Sequence, residues 1–266
     1  MSQKTNYSLF RKGKNFYFSS LFFEPYVRDE VATLYAFVRF IDDLVDRENP
    51  NVSLFYRCWE ALESHWGSSG GPQVIQPFID LAHRHGFEQR WAEAFMESME
   101  MDLNIGSYPT YEDLLRYIYG SAEVVGLFMA KIMRLDDRSH PYAMRLGRAY
   151  QLINMVRDIG EDLKLKRVYM PQEDLYYFKV REFGFNENFY KMVRYELRRF
   201  YTELEVARKG FRFIPRRYLV PIATATNIYV DTAKYLYRKP WTVLITKYRP
   251  NAFIYFVDAL RAISWH

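Results

Sequence analysis

Cysteine is nearly absent from this chain: Cys58 is the only one in 266 residues. An intramolecular disulfide is excluded, which suits a reducing compartment. Cys58 stands among Phe55, Trp59 and Leu62 and reads as a buried structural thiol rather than a nucleophile. Glycine (12) and proline (11) are sparse and mark no strand–turn rhythm. No stretch of about 18 apolar residues occurs, so no membrane span is expected. The polar opening Ser2-Gln3-Lys4-Thr5-Asn6 lacks the apolar centre of a secretory signal, so a cytoplasmic location is expected. No Lys/Arg run exceeds two residues and no zinc or RNA-binding signature is present, so nucleic acid is not an expected partner. A G-x-G-x-x-G fingerprint is missing as well, so no nicotinamide cofactor is expected.

Apolar and aromatic residues are abundant instead. The chain is 49% hydrophobic, with 23 tyrosines and 21 phenylalanines, enough for a single domain over residues 1–266 with ample core. The net charge of +5 and pI of about 9.0 fit an anionic small substrate or an anionic membrane surface. The apolar stretch Phe253-Ile254-Tyr255-Phe256-Val257 reads as a packing helix near which a peripheral membrane contact could form.

Helical periodicity runs through most of the sequence. Helices are expected from Pro25 to about Arg47, from Val52 to Trp66, from Val74 to His85 and from Glu88 to Leu103. Gly67 to Pro72 reads as a loop. Another helix starts at Thr110, as N-cap with Asp113 three residues on, and runs unbroken to Met133. Its small residues Gly120, Ser121, Ala122 and Gly126 mark either close helix packing or room for a ligand. The next begins with Ser139 as cap and Pro141 in the first turn, and ends near Leu165. Asn186 to Lys209, Pro215 to Tyr237 and Asn251 to Ile263 complete the set.

Two of these helices carry acidic stripes. In the first, Tyr35, Arg39, Asp42 and Asp46 fall at i, i+4, i+7 and i+11, beside an apolar stripe of Leu34, Phe37, Val38, Ile41, Leu44 and Val45. Asp42 and Asp46 thus share a face and repel. Alone, this reads first as a solvated acidic helix end. The second stripe, Gln151, Asn154, Asp158 and Asp162, repeats the pattern next to Leu152, Met155, Val156, Ile159 and Leu163. Two such pairs suggest helices facing across a cavity, where carboxylates stay ionised only with compensation. Mg²⁺ (or Mn²⁺) bridging to a diphosphate would supply it. Lys14, Arg39, Arg157 and Arg167 would meet the remaining phosphate charge. A di-iron carboxylate bundle would need Glu-x-x-His, which none of His65, His83, His85, His140 or His266 provides. These histidines are expected on surfaces or in loops.

At this point the chain resembles a known family. Tyr35-Ala36-Phe37-Val38-Arg39-Phe40-Ile41-Asp42-Asp43-Leu44-Val45-Asp46 is similar to the first aspartate-rich motif of squalene/phytoene synthases. Gln151 to Asp162, followed by Arg167-Val168-Tyr169-Met170-Pro171, is similar to the second, and Tyr117 to Gly126 to the helix lining the prenyl pocket. The resemblance implies an all-α isoprenoid synthase fold, a helical bundle around a central cavity. It also implies Mg²⁺-dependent head-to-head condensation of two prenyl diphosphates through a cyclopropylcarbinyl diphosphate. Carried over by position, Asp42, Asp46, Asp158 and Asp162 hold the metal, with Asp43 and Glu161 supporting. Tyr35, Arg39, Gln151, Asn154 and Arg157 contact diphosphate or stabilise developing charge, and Tyr117 and Tyr229 line the prenyl pocket. The family's Ser-Lys-Ser or Ser-Lys-Thr is replaced here by Gly13-Lys14-Asn15, which keeps Lys14 and gives Asn15 as a donor but loses the hydroxyls. Lys247 and Arg249 approximate the basic cluster expected near the C-terminus.

The leading expectation is condensation of two geranylgeranyl diphosphates to phytoene. Squalene or dehydrosqualene formation from farnesyl diphosphate, a prenyl-diphosphate phosphatase, and a non-catalytic prenyl-binding subunit are the alternatives. The expected partners are prenyl diphosphates and, for release of an apolar product, a membrane surface.

Overall fold

The computed structural model describes residues 14–66 and 75–263, and within them it is helical throughout, its only β-type pairing being an isolated bridge between Ser107 and Val168. In order the helices are α1 (Lys14–Ser20), α2 (Pro25–Val45), α3 (Val52–His65), α4 (Gln76–His85), α5 (Gln89–Asn104), α6 (Tyr111–Ile118), α7 (Val124–Ile132), α8 (His140–Asp162), α9 (Gln172–Tyr177), α10 (Glu187–Arg208), α11 (Arg216–Arg238) and α12 (Ala252–Ile263). The loop expected over Gly67 to Pro72 lies outside the described residues.

Local chemistry accounts for most boundaries. Pro25 opens α2 at a position where its missing N–H costs nothing. Asn51, Thr110 and Asn186 cap their helices through side-chain oxygens, Thr110 in a reciprocal capping box with Asp113. Ser139 departs from expectation. It precedes α8, but its hydroxyl accepts no capping hydrogen bond and is buried without a partner. Short helix α9, and Pro221 inside α11, were not legible as such; Pro221 removes one helical donor where that helix lines the cavity.

The helix expected to run unbroken from Thr110 to Met133 is interrupted. Residues Tyr119–Glu123 wind as a π-turn between α6 and α7, a rare feature that redirects side chains. The small residues divide between the two roles. A β-carbon at Gly120 would collide with the Ala94 carbonyl on α5, and one at Gly126 with the Ala143 carbonyl on α8, so both serve close packing, and Gly126 lines the cavity as well. Ser121, Ala122, Val125 and Met129 line the cavity.

Two apolar cores flank that cavity. One joins α2, α3, α4, α5 and α7 around Phe37, Phe55, Phe78, Phe95 and Phe128, with Phe37 stacked on Phe78 at 3.8 Å. The other joins α6, α8, α10 and α11 around Leu152, Val156, Phe189, Phe200 and Tyr229. Cys58 is buried in the first, as expected of a structural thiol. One histidine departs from its expected place: the His85 side chain is 4% exposed and lies 2.9 Å from Glu30.

Candidate active site

The cavity between the cores has a volume of about 780 Å³. Its walls are one face each of α2, α5, α7, α8 and α11, and along α8 it is lined from Tyr142 to Asp162. One end carries the acidic stripes. Asp42 and Asp46 from α2, and Asp158, Glu161 and Asp162 from α8, line the same cavity and face one another across it. The other end is apolar and aromatic, with Met133, Leu135, Tyr142, Phe211 and Ile214.

The carboxylates feel one another. Burial, and then the nearby charges of Asp158 and Asp46, push Asp162 up to about 8; burial pushes Asp42 to about 7, with Asp46 adding to it. Cations hold most of the others. Arg39 reaches Asp42 at 3.0 Å and Asp43 at 2.6 Å. Arg157 forks onto both oxygens of Asp158 at 2.7 and 2.8 Å, and Arg167 donates to Asp46 at 2.8 Å. Asp158 stays below the usual carboxylate range, because its partners Arg157 and Lys247 outweigh its burial. The Asp162 carboxylate alone of the four has no hydrogen bond or ion pair among the described residues.

Lys247 reaches the site from outside both motifs. Its Nζ stands 2.9 Å from Asp158 and 2.9 Å from Glu161. Gly160 permits this: a β-carbon there would stand 2.6 Å from the Val243 carbonyl, so only glycine lets residues 240–244 lie against α8. Arg167 is turned back toward α2 by Lys166, which adopts the left-handed conformation at φ 59°.

Beneath the charged end lies a cluster that the sequence reading missed. Tyr117 and Tyr169 donate to the two oxygens of Asp102, at 3.0 and 2.5 Å, and Tyr108 packs on both rings. Burial raises Asp102 to about 6, and Arg167 opposes the rise. The signal was present: Asp102 continues the apolar stripe of Phe95 and Met99 on α5, where a carboxylate is unexpected.

The remaining expected residues fall as follows. Tyr35 and Gln151 line the cavity, and burial pushes Tyr35 up to about 12. Asn154 and Arg157 hydrogen-bond the Tyr229 hydroxyl, and Tyr229 stacks on Tyr150 at 4.4 Å. Lys14 and Asn15 open α1, but their side chains lie outside the described residues.

Among the described residues no three carboxylates or histidines converge into a ready-made metal cage. The donor set nevertheless fits a hard cation shared with a ligand. It is all oxygen, it includes the Asp162 carboxylate and the buried, unpartnered Asn154 Oδ1, and two of its carboxylates, Asp42 and Asp162, are pushed up by burial and by neighbouring negative charge.

Residues 9–252 match the squalene/phytoene synthase family. The chain belongs to that family. It is 32% identical to a 15-cis-phytoene synthase of Paracoccus sp. (strain N81106 / MBIC 01143), over 77% of this chain and 72% of that protein. With the 15-cis-phytoene synthase of Pantoea ananas it shares 30% identity over 81% of this chain and 76% of the other. Its fold is that of a dehydrosqualene synthase crystallised with a ligand (TM-score 0.87, 20% identity, covering 98% of this chain and 95% of the other). It is also that of squalene synthase HpnC from Alicyclobacillus acidocaldarius (TM-score 0.80, 22% identity, 90% and 94%). Family membership confirms the all-α isoprenoid synthase fold expected from the motifs. Squalene/phytoene synthases are prenyl-transferring enzymes, and no helix among the described residues of this one is long and apolar enough to cross a membrane.

Proposed function

We propose that this chain condenses two geranylgeranyl diphosphates head to head, giving phytoene through a cyclopropylcarbinyl diphosphate, with Mg²⁺ at the acidic end of the cavity. The observation that carries the chain length is the depth of the cavity. It follows α8 from Asp158 to Tyr142, about 24 Å at the helical rise. At roughly 1.3 Å of advance per carbon–carbon bond, an extended geranylgeranyl chain spans about 20 Å and a farnesyl chain about 14 Å. The longer chain fills the cavity from its charged end to its aromatic floor.

Asp42, Asp46, Asp158 and Asp162 would hold the metal, together with Asn154 Oδ1. Bound Mg²⁺ supplies positive charge that stabilises a departing diphosphate. Arg39, Arg157, Arg167 and Lys247 supply more of it from the chain itself. Each of them pairs with an aspartate or glutamate at the cavity mouth, and with metal on those carboxylates each would be placed to meet phosphate oxygens. Asp43 and Glu161 keep Arg39 and Lys247 at the mouth through their ion pairs. Tyr35, Tyr117, Tyr150, Tyr169 and Tyr229 line the cavity in which the prenyl chains would lie, and aromatic ring faces favour carbocation character. The apolar walls exclude water, which would otherwise capture the cation as an alcohol.

Purified protein incubated with Mg²⁺ and labelled geranylgeranyl or farnesyl diphosphate tests this reading. A C40 hydrocarbon from the longer substrate is expected. A C30 hydrocarbon made preferentially from farnesyl diphosphate, a prenyl alcohol, or binding without turnover would overturn it.

A further inference from the structure

Beyond α8 the chain runs along the cavity as a strap, residues 166–177, that ends in α9. Its first half carries two side chains of the site. Arg167 donates to Asp46 at 2.8 Å and to the Val45 carbonyl at 2.9 Å, and Tyr169 donates to Asp102 at 2.5 Å. The strap backbone bonds to residues 106–109. The N–H groups of Val168, Gln172 and Glu173 donate to the carbonyls of Gly106, Tyr108 and Pro109 at 2.8, 2.9 and 3.0 Å. Gly106, Ser107 and Pro109 are exposed, so these bonds join one connecting segment to another.

The far half of the strap is fastened to helices by a buried charge cluster outside the cavity. Asp174 in α9 is 6% exposed and Glu196 in α10 is 1% exposed. Arg199, one turn beyond Glu196, forks onto both oxygens of Asp174 and reaches Glu196 at 2.8 Å. Its guanidinium lies over the rings of Tyr111 and Tyr195, at 4.2 and 4.7 Å. Tyr111 opens α6, and its N–H donates to Glu173 at 2.7 Å. Burial holds Glu196 above the usual carboxylate range; Arg199 opposes the rise and Asp174 adds to it. The two acids therefore carry one negative charge between them, against one guanidinium. None of the three lines the cavity. Such a buried cluster is often no more stabilising than apolar packing of the same volume. What it does supply is geometry, because a guanidinium fork fixes the orientation of its carboxylate. One arginine thereby joins α6, α9 and α10 at the end of the strap.

We infer that Arg199 and Asp174 are positioning residues, which hold Arg167 at the cavity mouth by fixing the far end of the strap. Arg167 is buried, and Lys166 before it is left-handed at φ 59°, so the aim of its guanidinium follows the path of the strap. The role rests on the mouth being the diphosphate site, where Arg167 would meet phosphate.

Steady-state kinetics on the full chain, with Mg²⁺ and whichever prenyl diphosphate wild type condenses, tests the inference through a double-mutant cycle. Arg199→Met, checked by circular dichroism for unchanged helix content, is expected to lower kcat about tenfold while KM changes by less than about twofold, as for a charge misplaced from a distance. In an Arg167→Gln background the same substitution is expected to add no more than about a threefold loss, because the group it positions is already gone. A mere loss of folded protein would multiply with the Arg167 substitution. Asp174→Ala leaves Arg199 and Glu196 as a matched pair; it keeps the test open if Arg199→Met misfolds, and is expected to behave alike in both backgrounds. The inference is overturned if a folded variant at either position keeps the kcat of wild type, if KM alone moves, or if the losses multiply in full. Chain length and product are read from wild type alone. A wrong chain length therefore leaves the cycle intact, and a failed cycle leaves the proposed reaction standing.

Discussion

Two of the regions in which carboxylates gather differ in their partners. Behind the cavity, α8, α10 and the π-turn share an ion network. Glu123, 1% exposed, accepts from Arg148 at 2.6 Å, and Glu203 accepts from Arg145 at 2.7 Å and from Arg148 at 3.5 Å. Each acid there has an arginine, which is how a folded interior accommodates charge. At the cavity mouth the acids outnumber their cations. Asp42 and Asp162 are pushed to about 7 and about 8, and Asp162 faces no cation at hydrogen-bonding distance. The first arrangement is complete in itself; the second is completed only by something positive from outside.

Breaking the mouth should cost activity and spare the fold. Asp42→Ala or Asp158→Ala is expected to lower turnover by roughly a thousandfold or more, the scale of losing a principal electrostatic group, while far-UV circular dichroism stays that of wild type. Full activity in either variant contradicts the site. Breaking the other region should do the reverse. Arg148→Met leaves Glu123 buried without its partner and is expected to cost about 3–5 kcal/mol of stability, read from the midpoint of urea unfolding.

Asp102 sharpens the contrast, because it is a buried acid held by hydroxyls instead of arginine. Asp102→Asn keeps its size but removes the charge that faces Arg167. Through misplacement of Tyr117 and Tyr169 it is expected to lower kcat by about tenfold with KM little changed; a change confined to melting temperature would make the cluster purely structural.

A pH dependence follows from the same crowding. Asp42 and Asp162 keep their protons when folded to about 7 and about 8, whereas in the unfolded chain they release them near 4. Raising pH through that window favours the unfolded state, so the metal-free protein should melt lower at pH 8 than at pH 5. Mg²⁺ added at pH 8 should recover the difference, and Asp162→Asn should flatten the curve. A melting temperature that rises from pH 5 to pH 8 would contradict the crowding of these groups.

The sequence made legible what is periodic. The stripes ending at Asp46 and Asp162, the caps at Thr110 and Asn186 and the burial of Cys58 all follow from local spacing, and the structure places them as expected. What escaped depends on contacts far apart in the chain. Lys247 was expected in a basic cluster, but its partners Asp158 and Glu161 were not legible, because it reaches them only where Gly160 admits the segment around Val243. The π-turn at Tyr119–Glu123 lies in a stretch that reads as ordinary helix, because its small residues carry too little apolar signal to show the shift of face. Asp102 was visible as a carboxylate on an apolar face, but its tyrosine partners come from two other elements. Ser139 had the right residue type for a cap and the wrong geometry.

The surplus of acid at the mouth is the centre of this account, and calorimetric titration of inorganic pyrophosphate measures it most directly. Wild type should bind pyrophosphate only when Mg²⁺ is present, and Asp158→Ala should lose that binding at unchanged helix content. Pyrophosphate that binds equally without a divalent cation, or equally to the variant, would contradict it.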